Sequence, residues 1–171
     1  MHRSVAWAGV VVRCTAKVLT LVGVRRSSLP ELPAAAEDWY VNLLWVDRRK
    51  SLLVTHALTA FSAFIPDVRK AHLQPPGPLL AAAITDALAA ENLPRDALGD
   101  LDRQCARLAT TASRRVLGLM NDMAVHIDHA IGDHGGLPGL DTRRLNRQLQ
   151  RTLHNHHGRY ATALDLLHER T

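Results

Sequence analysis

Asp38-Trp39-Tyr40-Val41-Asn42-Leu43-Leu44-Trp45-Val46-Asp47-Arg48-Arg49-Lys50-Ser51-Leu52-Leu53-Val54-Thr55-His56 is a pair of apolar, β-prone runs joined by a turn made of charge. Two such runs separated by a few polar residues predict a β-hairpin, here with Arg48, Arg49 and Lys50 at its tip. Side chains alternate between the faces of a strand, so Trp39, Leu43 and Trp45 share one face and Tyr40, Asn42 and Leu44 the other. Aromatic residues so placed are expected to build the core.

On the N-terminal side, Val10-Val11-Val12-Arg13-Cys14 reads as a buried first strand. The spacing of Val18, Leu19 and Val22 then predicts a helix from Ala16 that stops at Gly23, and Arg25 to Ala36, with Pro30 and Pro33, reads as a loop. On the C-terminal side, Thr59 to Ile65 reads as a further strand ending at Pro66. Three successive antiparallel strands are thus expected beside the first. The proline cluster from Gln74 to Pro78 ends this pattern, and the alanine-rich run Leu79 to Glu91 has helix-forming composition. Further helices are expected over Arg95 to Ala109, from an N-cap at Ser113 through Ile131, from Asp141 to about Leu153, and over Tyr160 to His168. Leu145, Leu149 and Leu153 supply the buried stripe of the Asp141 helix. The change from period two to helical spacing after Pro78 predicts an α+β fold: a small antiparallel sheet with a central hairpin, covered by several C-terminal helices. Residues 1–9 read as an N-terminal extension and 10–171 as one domain, a length sufficient to bury a continuous core.

The 171 residues carry a formal charge of +5, which favours polyanionic partners such as RNA. Arginine greatly outnumbers lysine, and alanine is abundant, a bias that a GC-rich genome also produces. Cys14 and Cys105 are the two cysteines, far apart, so neither a disulfide framework nor a thiolate metal site is indicated. No cofactor is expected. The apolar run Val5 to Val12 is too short for a leader and is broken by Arg13 and Lys17, and no stretch approaches the roughly 20 apolar residues of a membrane span. A soluble cytoplasmic protein is therefore expected.

On the helix after Ser113, Asp122, His126, His129 and Asp133 form one stripe. It lies opposite the apolar stripe of Val116, Met120, Met123, Ile127 and Ile131, so it reads as a solvated face and not a metal site. Arg114 and Asn121 sit on the flank, where a polar side chain can reach a neighbouring strand. His154-Asn155-His156-His157 reads as an exposed turn between two helices. Arg143, Arg147 and Arg151 fall on the face opposite the leucines of their helix, a geometry suited to phosphate backbones or simply to solvent. The tip cations Arg48, Arg49 and Lys50 suit phosphate equally. No nucleophile elbow, Walker loop or zinc-protease motif occurs.

Four of these segments, Arg13-Cys14-Thr15-Ala16-Lys17-Val18-Leu19, Asp38 to Leu44, Arg48-Arg49-Lys50 and Val116-Leu117-Gly118-Leu119-Met120-Asn121-Asp122, together resemble a bacterial family of unknown function, domain of unknown function 6933. The resemblance runs over most of the chain from Val10 and brings no activity with it. Family members often carry Asn followed by an acid where this chain has Thr55-His56, and Lys-Thr-Asn where it has Thr110-Thr111-Ala112. Three function classes stay open. The first is an RNA-binding accessory protein using Arg48, Arg49, Lys50 and the face of Arg143, Arg147 and Arg151. The second is a protein-interaction module of a toxin–antitoxin or defence pair, docking through its late leucine-striped helices. The third is a metal-independent nuclease or nucleotide-processing enzyme, with Lys17, Asn42, Arg49, Arg114 and Asn121 around the substrate and His56 the one nearby imidazole.

Overall fold

A computed structural model of the chain describes residues 9–101 and 106–170. All of the expected extension but Gly9, and the expected core position Cys105, lie outside the described residues. The elements are β1 (Val11–Cys14), α1 (Ala16–Val22), β2 (Trp39–Val46), β3 (Arg49–His56), β4 (Ser62–Ile65), α2 (Gly77–Ala90), β5 (Arg107–Thr110), α3 (Arg114–Asp133), α4 (Thr142–Gln150), β6 (His154–His156), β7 (Arg159–Ala161) and α5 (Ala163–His168). The fold is α+β, with the hairpin β2–β3 at the heart of a five-stranded sheet ordered β4-β3-β2-β1-β5.

The antiparallel part of the sheet is as the hydrophobic pattern predicts. β2 pairs with β3 from Trp39 opposite His56 to Val46 opposite Arg49, and β3 pairs with β4. β1, however, lies parallel to β2, so the sheet is mixed. The intervening α1 and proline-bearing loop are long enough for a crossover, which a parallel neighbour requires. β5 corrects the expected helix Arg95 to Ala109: Arg107 to Thr110 extend the sheet beside β1, with Arg107 N–H donating to Val10 O at 2.8 Å. Helix propensity separates residues by only tenths of a kcal/mol, and the unpaired side of β1 outweighs it.

Both faces of the sheet are covered, which is why Leu52, Leu53 and Val54 are each fully buried in succession. One core gathers Trp39, Val41 and Val54 with residues of α1, α2 and α5, and the other gathers Tyr40, Leu53 and Phe64 with α3 and α4. Val116, Met120, Met123, Ile127 and Ile131 face the sheet as their spacing requires, and the Ser113 hydroxyl caps Val116 N–H. Asp141 caps α4 at Arg144 N–H, but α4 ends at Gln150, which leaves Leu153 exposed instead of buried. The chain then forms the hairpin β6–β7, where an inter-helix turn was expected, so the last helix begins at Ala163 behind a Thr162/Asp165 capping box.

α4 also closes an edge of the sheet. The Asn146 Oδ1 accepts from Phe64 N–H at 2.8 Å, while Gln150 accepts from Ser62 N–H at 2.9 Å and donates to Ser62 O at 2.6 Å. Two amides one helical turn apart thus stand in for a sixth strand along β4. Among the described residues, no helix is long and apolar enough to cross a membrane.

Candidate nucleic-acid interface

The ladder between β1 and β2 ends at Cys14 opposite Val41, whereas β2 and β3 stay paired to Val46 and Arg49. The hairpin therefore overhangs the sheet by five residues, roughly 16 Å. On this overhang Trp45 is 63% exposed, unlike Trp39 on the same strand face, and Lys50 Nζ lies 5.7 Å from its ring centroid. The strand period gave Trp45 its face; only the short β1 decides that nothing covers it.

The tip is rigid for its size. Asp47 (φ 49°) and Arg48 (φ 61°) make a two-residue turn with both residues left-handed, the type I′ geometry that follows strand twist. Asp47 tolerates it, and its carboxylate is used as an anchor: Oδ2 accepts from Leu137 N–H at 3.0 Å. That approach requires Gly136, whose φ is 115° and where a Cβ would stand 2.9 Å from the same oxygen. Arg48 is exposed and forms no ion pair among the described residues. Arg49 pairs with Asp67 at 2.9 Å across solvent, a contact that a phosphate can replace at little cost.

At the end of β1, the Thr15 hydroxyl donates to Asn42 Oδ1 at 3.1 Å, and Leu43 N–H donates to the same oxygen at 2.9 Å. Lys17 is exposed on the first turn of α1. β1 and β5 run parallel here and their chains leave to opposite faces, α1 to one core and α3 to the other. Such a switch point leaves a crevice outside the strand ends. Thr20, Arg25, Arg26, Thr110 and Thr111 line the groove found there. Arg13, which reads in sequence as a mere break in the N-terminal apolar run, is fully buried beneath it. Its guanidinium bonds Asp38 at 2.5 Å and the carbonyls of Thr110, Leu32 and Pro33 at 2.7–2.9 Å, pinning the proline-bearing loop to the sheet.

The remaining candidates are dispersed. Asn121 projects to solvent and does not reach a strand, because Met120 and Met123 occupy the sheet-facing positions on either side. Arg114 is exposed at the start of α3. Arg147 and Arg151 converge on Glu91, Arg151 through two bonds of 2.6 and 2.8 Å, whereas Arg143 is exposed without an ion pair among the described residues. The arginine face of α4 is therefore partly neutralised by α2. Lys17, Asn42, Arg49, Arg114 and Asn121 do not surround one cavity; the groove beside α3 takes in Arg114 and none of the other four.

His56 is sealed. Thr59 N–H donates to its Nδ1 at 3.3 Å, so the proton sits on Nε2, which faces Glu37 Oε2 at 3.3 Å while Trp39 packs edge-on at 4.9 Å. Burial pushes its pKa down to about 4, against the opposing pull of Glu37. With no exposed surface it offers no base to an outside substrate. The stripe of Asp122, His126, His129 and Asp133 is exposed throughout, and among the described residues no three His, Cys, Asp or Glu side chains gather to hold a metal ion.

No curated protein and no solved structure matches this chain. A family model does, with the description "Domain of unknown function (DUF6933)", over residues 11–165, from β1 into α5. That span contains the overhanging hairpin, the Thr15–Asn42 bond and the switch-point crevice alike, and the chain belongs to this family.

Proposed function

We propose that the protein binds single-stranded nucleic acid, RNA before DNA, at the overhanging end of the β2–β3 hairpin. The observation that carries this reading is Trp45, exposed on a rigid strand and flanked by Lys50, with Arg48 at the adjoining turn. An aromatic face beside cations is how sequence-tolerant single-strand binders hold a base and its phosphate together. Lys17 and Arg49 extend the positive surface, and Arg143, Arg147 and Arg151 form a second, weaker one because Glu91 already engages two of them. The reading places the protein in the cytoplasm, in keeping with sparse cysteines and with Cys14, whose free thiol is buried and pushed up to about 12. The partner-docking alternative draws less support, since Leu145, Leu149, Leu166 and Leu167 are all buried within the chain. The enzyme alternative draws less still, its residues being dispersed and His56 enclosed.

Fluorescence anisotropy with labelled single-stranded RNA and DNA tests the proposal. Saturable binding that weakens steeply with salt is expected, and Trp45→Ala should lower affinity by about 5- to 150-fold, the worth of one stacked base. Absence of binding at low salt, or binding indifferent to Trp45→Ala and Arg48→Glu, overturns it.

A further inference from the structure

α2 departs from an ordinary surface helix, whose outer side is polar. Of its 14 residues Asp86 alone is charged, and Leu79, Ala82, Ala83 and Ala89 stand at least partly open to solvent. They form one wall of a groove of about 500 Å³ that α2 shares with the end of β4, at Phe64 and Ile65, and with α4. Nothing within the described residues fills it.

The charges around this groove are only partly matched. Glu91, just past the end of α2, ties Arg147 and Arg151 of α4, but the next charges along each helix, Asp86 and Arg143, both line the groove and form no ion pair among the described residues. Asn146 lines it as well. It is 8% exposed and accepts Phe64 N–H at Oδ1, while its Nδ2 is not sealed off and donates no hydrogen bond among the described residues. Arg143 and Asn146, three apart on α4, are neighbours on one helix face. The groove thus holds two donors facing no anion and, on its other wall, an acid facing no cation.

We infer that this groove is the interface of a two-fold dimer, in which a second copy lays its α2 into the groove and each Asp86 carboxylate meets Arg143 and Asn146 Nδ2 of the other copy. A two-fold contact sets one patch against itself, so the patch must carry both members of every pair it makes. This one does. An unrelated acidic partner would answer Arg143 and leave Asp86 unmet, whereas a second copy answers both at once. Ala82 and Ala83 are small enough to let the two α2 helices approach closely. The inference goes beyond the hairpin reading and does not rest on it.

Sedimentation velocity of the full chain, freed of nucleic acid and run from micromolar to millimolar concentration, tests this. A reversible dimer is expected. Asp86→Arg sets like charges together at both ends of the interface, as does Arg143→Asp, so each variant alone should weaken dimerisation by roughly tenfold or more. Both positions are exposed, which makes the substitutions compatible with folding. Mixed in equal amounts, the two variants remake both pairs with their signs exchanged, and a dimer of one of each should return. Trp45→Ala should leave the dimer intact. A monomer at every concentration gives the groove to a different chain and overturns the inference. A dimer indifferent to both single variants, a mixture that stays monomeric, or a dimer lost with Trp45→Ala overturns it as well.

Discussion

Asp38 holds the guanidinium of Arg13 inside the protein with both side chains nearly inaccessible to water, 4% and 1% exposed. Removing one partner of such a pair strands a buried charge, so Asp38→Ala should cost about 3–5 kcal/mol in urea denaturation at neutral pH. His56 sets a second residue-level expectation, this one in pH. Its folded pKa of about 4 lies below the ordinary 6.5 of the unfolded chain, so between these values the unfolded state binds more protons. Its contribution to stability is therefore complete above about pH 6.5 and lost as pH falls, by about 2 kcal/mol at pH 5 and about 3 below pH 4. Denaturation midpoints across that window should fall accordingly, and His56→Gln should flatten the slope. Neither residue was legible as structural in the sequence. Arg13 read as an interruption, and His56 as the imidazole nearest a catalytic set, because burial of a polar side chain depends on partners contributed from Thr59, Leu32, Pro33 and Thr110, which local spacing does not encode.

Among the elements, the hairpin, α2, α3 and the start of α4 were legible because their signals are local: alternation over eight residues, an alanine run, and caps at Ser113 and Asp141. β5 and the β6–β7 hairpin were not. Four residues with helical neighbours carry too little pattern, and their pairing is decided by β1 in one case and by the turn at His157 and Gly158 in the other. The closure of β4 by α4 was equally hidden, since Asn146 and Gln150 are polar residues on a helix face that hydropathy assigns to solvent. Gln150→Leu should leave Ser62 N–H and C=O without partners and cost about 1–3 kcal/mol by chemical denaturation, although the substitution is the more hydrophobic one. The tip makes the matching case for a glycine. Gly136→Ala, strained at φ 115° and crowding Asp47, should release the turn from Leu137, visible as faster amide exchange at Arg48 and Arg49.

For the molecule as a whole, a charge of +5 says little until its pairing is known. Glu91 and Asp67 answer three of the arginines by ion pairs, whereas Arg48 and Arg143 have no such partner among the described residues. The slope of log affinity against log salt for single-stranded RNA should therefore fall by about 0.7 for Arg48→Gln, and by less for Arg147→Gln, whose loss leaves Arg151 still on Glu91. The closing of β4 by side-chain amides carries a further meaning in terms of valence. A sheet grows into filaments only when both borders accept new strands, and here one border is occupied by α4, while no strand among the described residues lies outside β5 at the other. Through the borders of this sheet, copies can pair at β5 and then stop, so α4 acts as a chain terminator against polymerisation by that route.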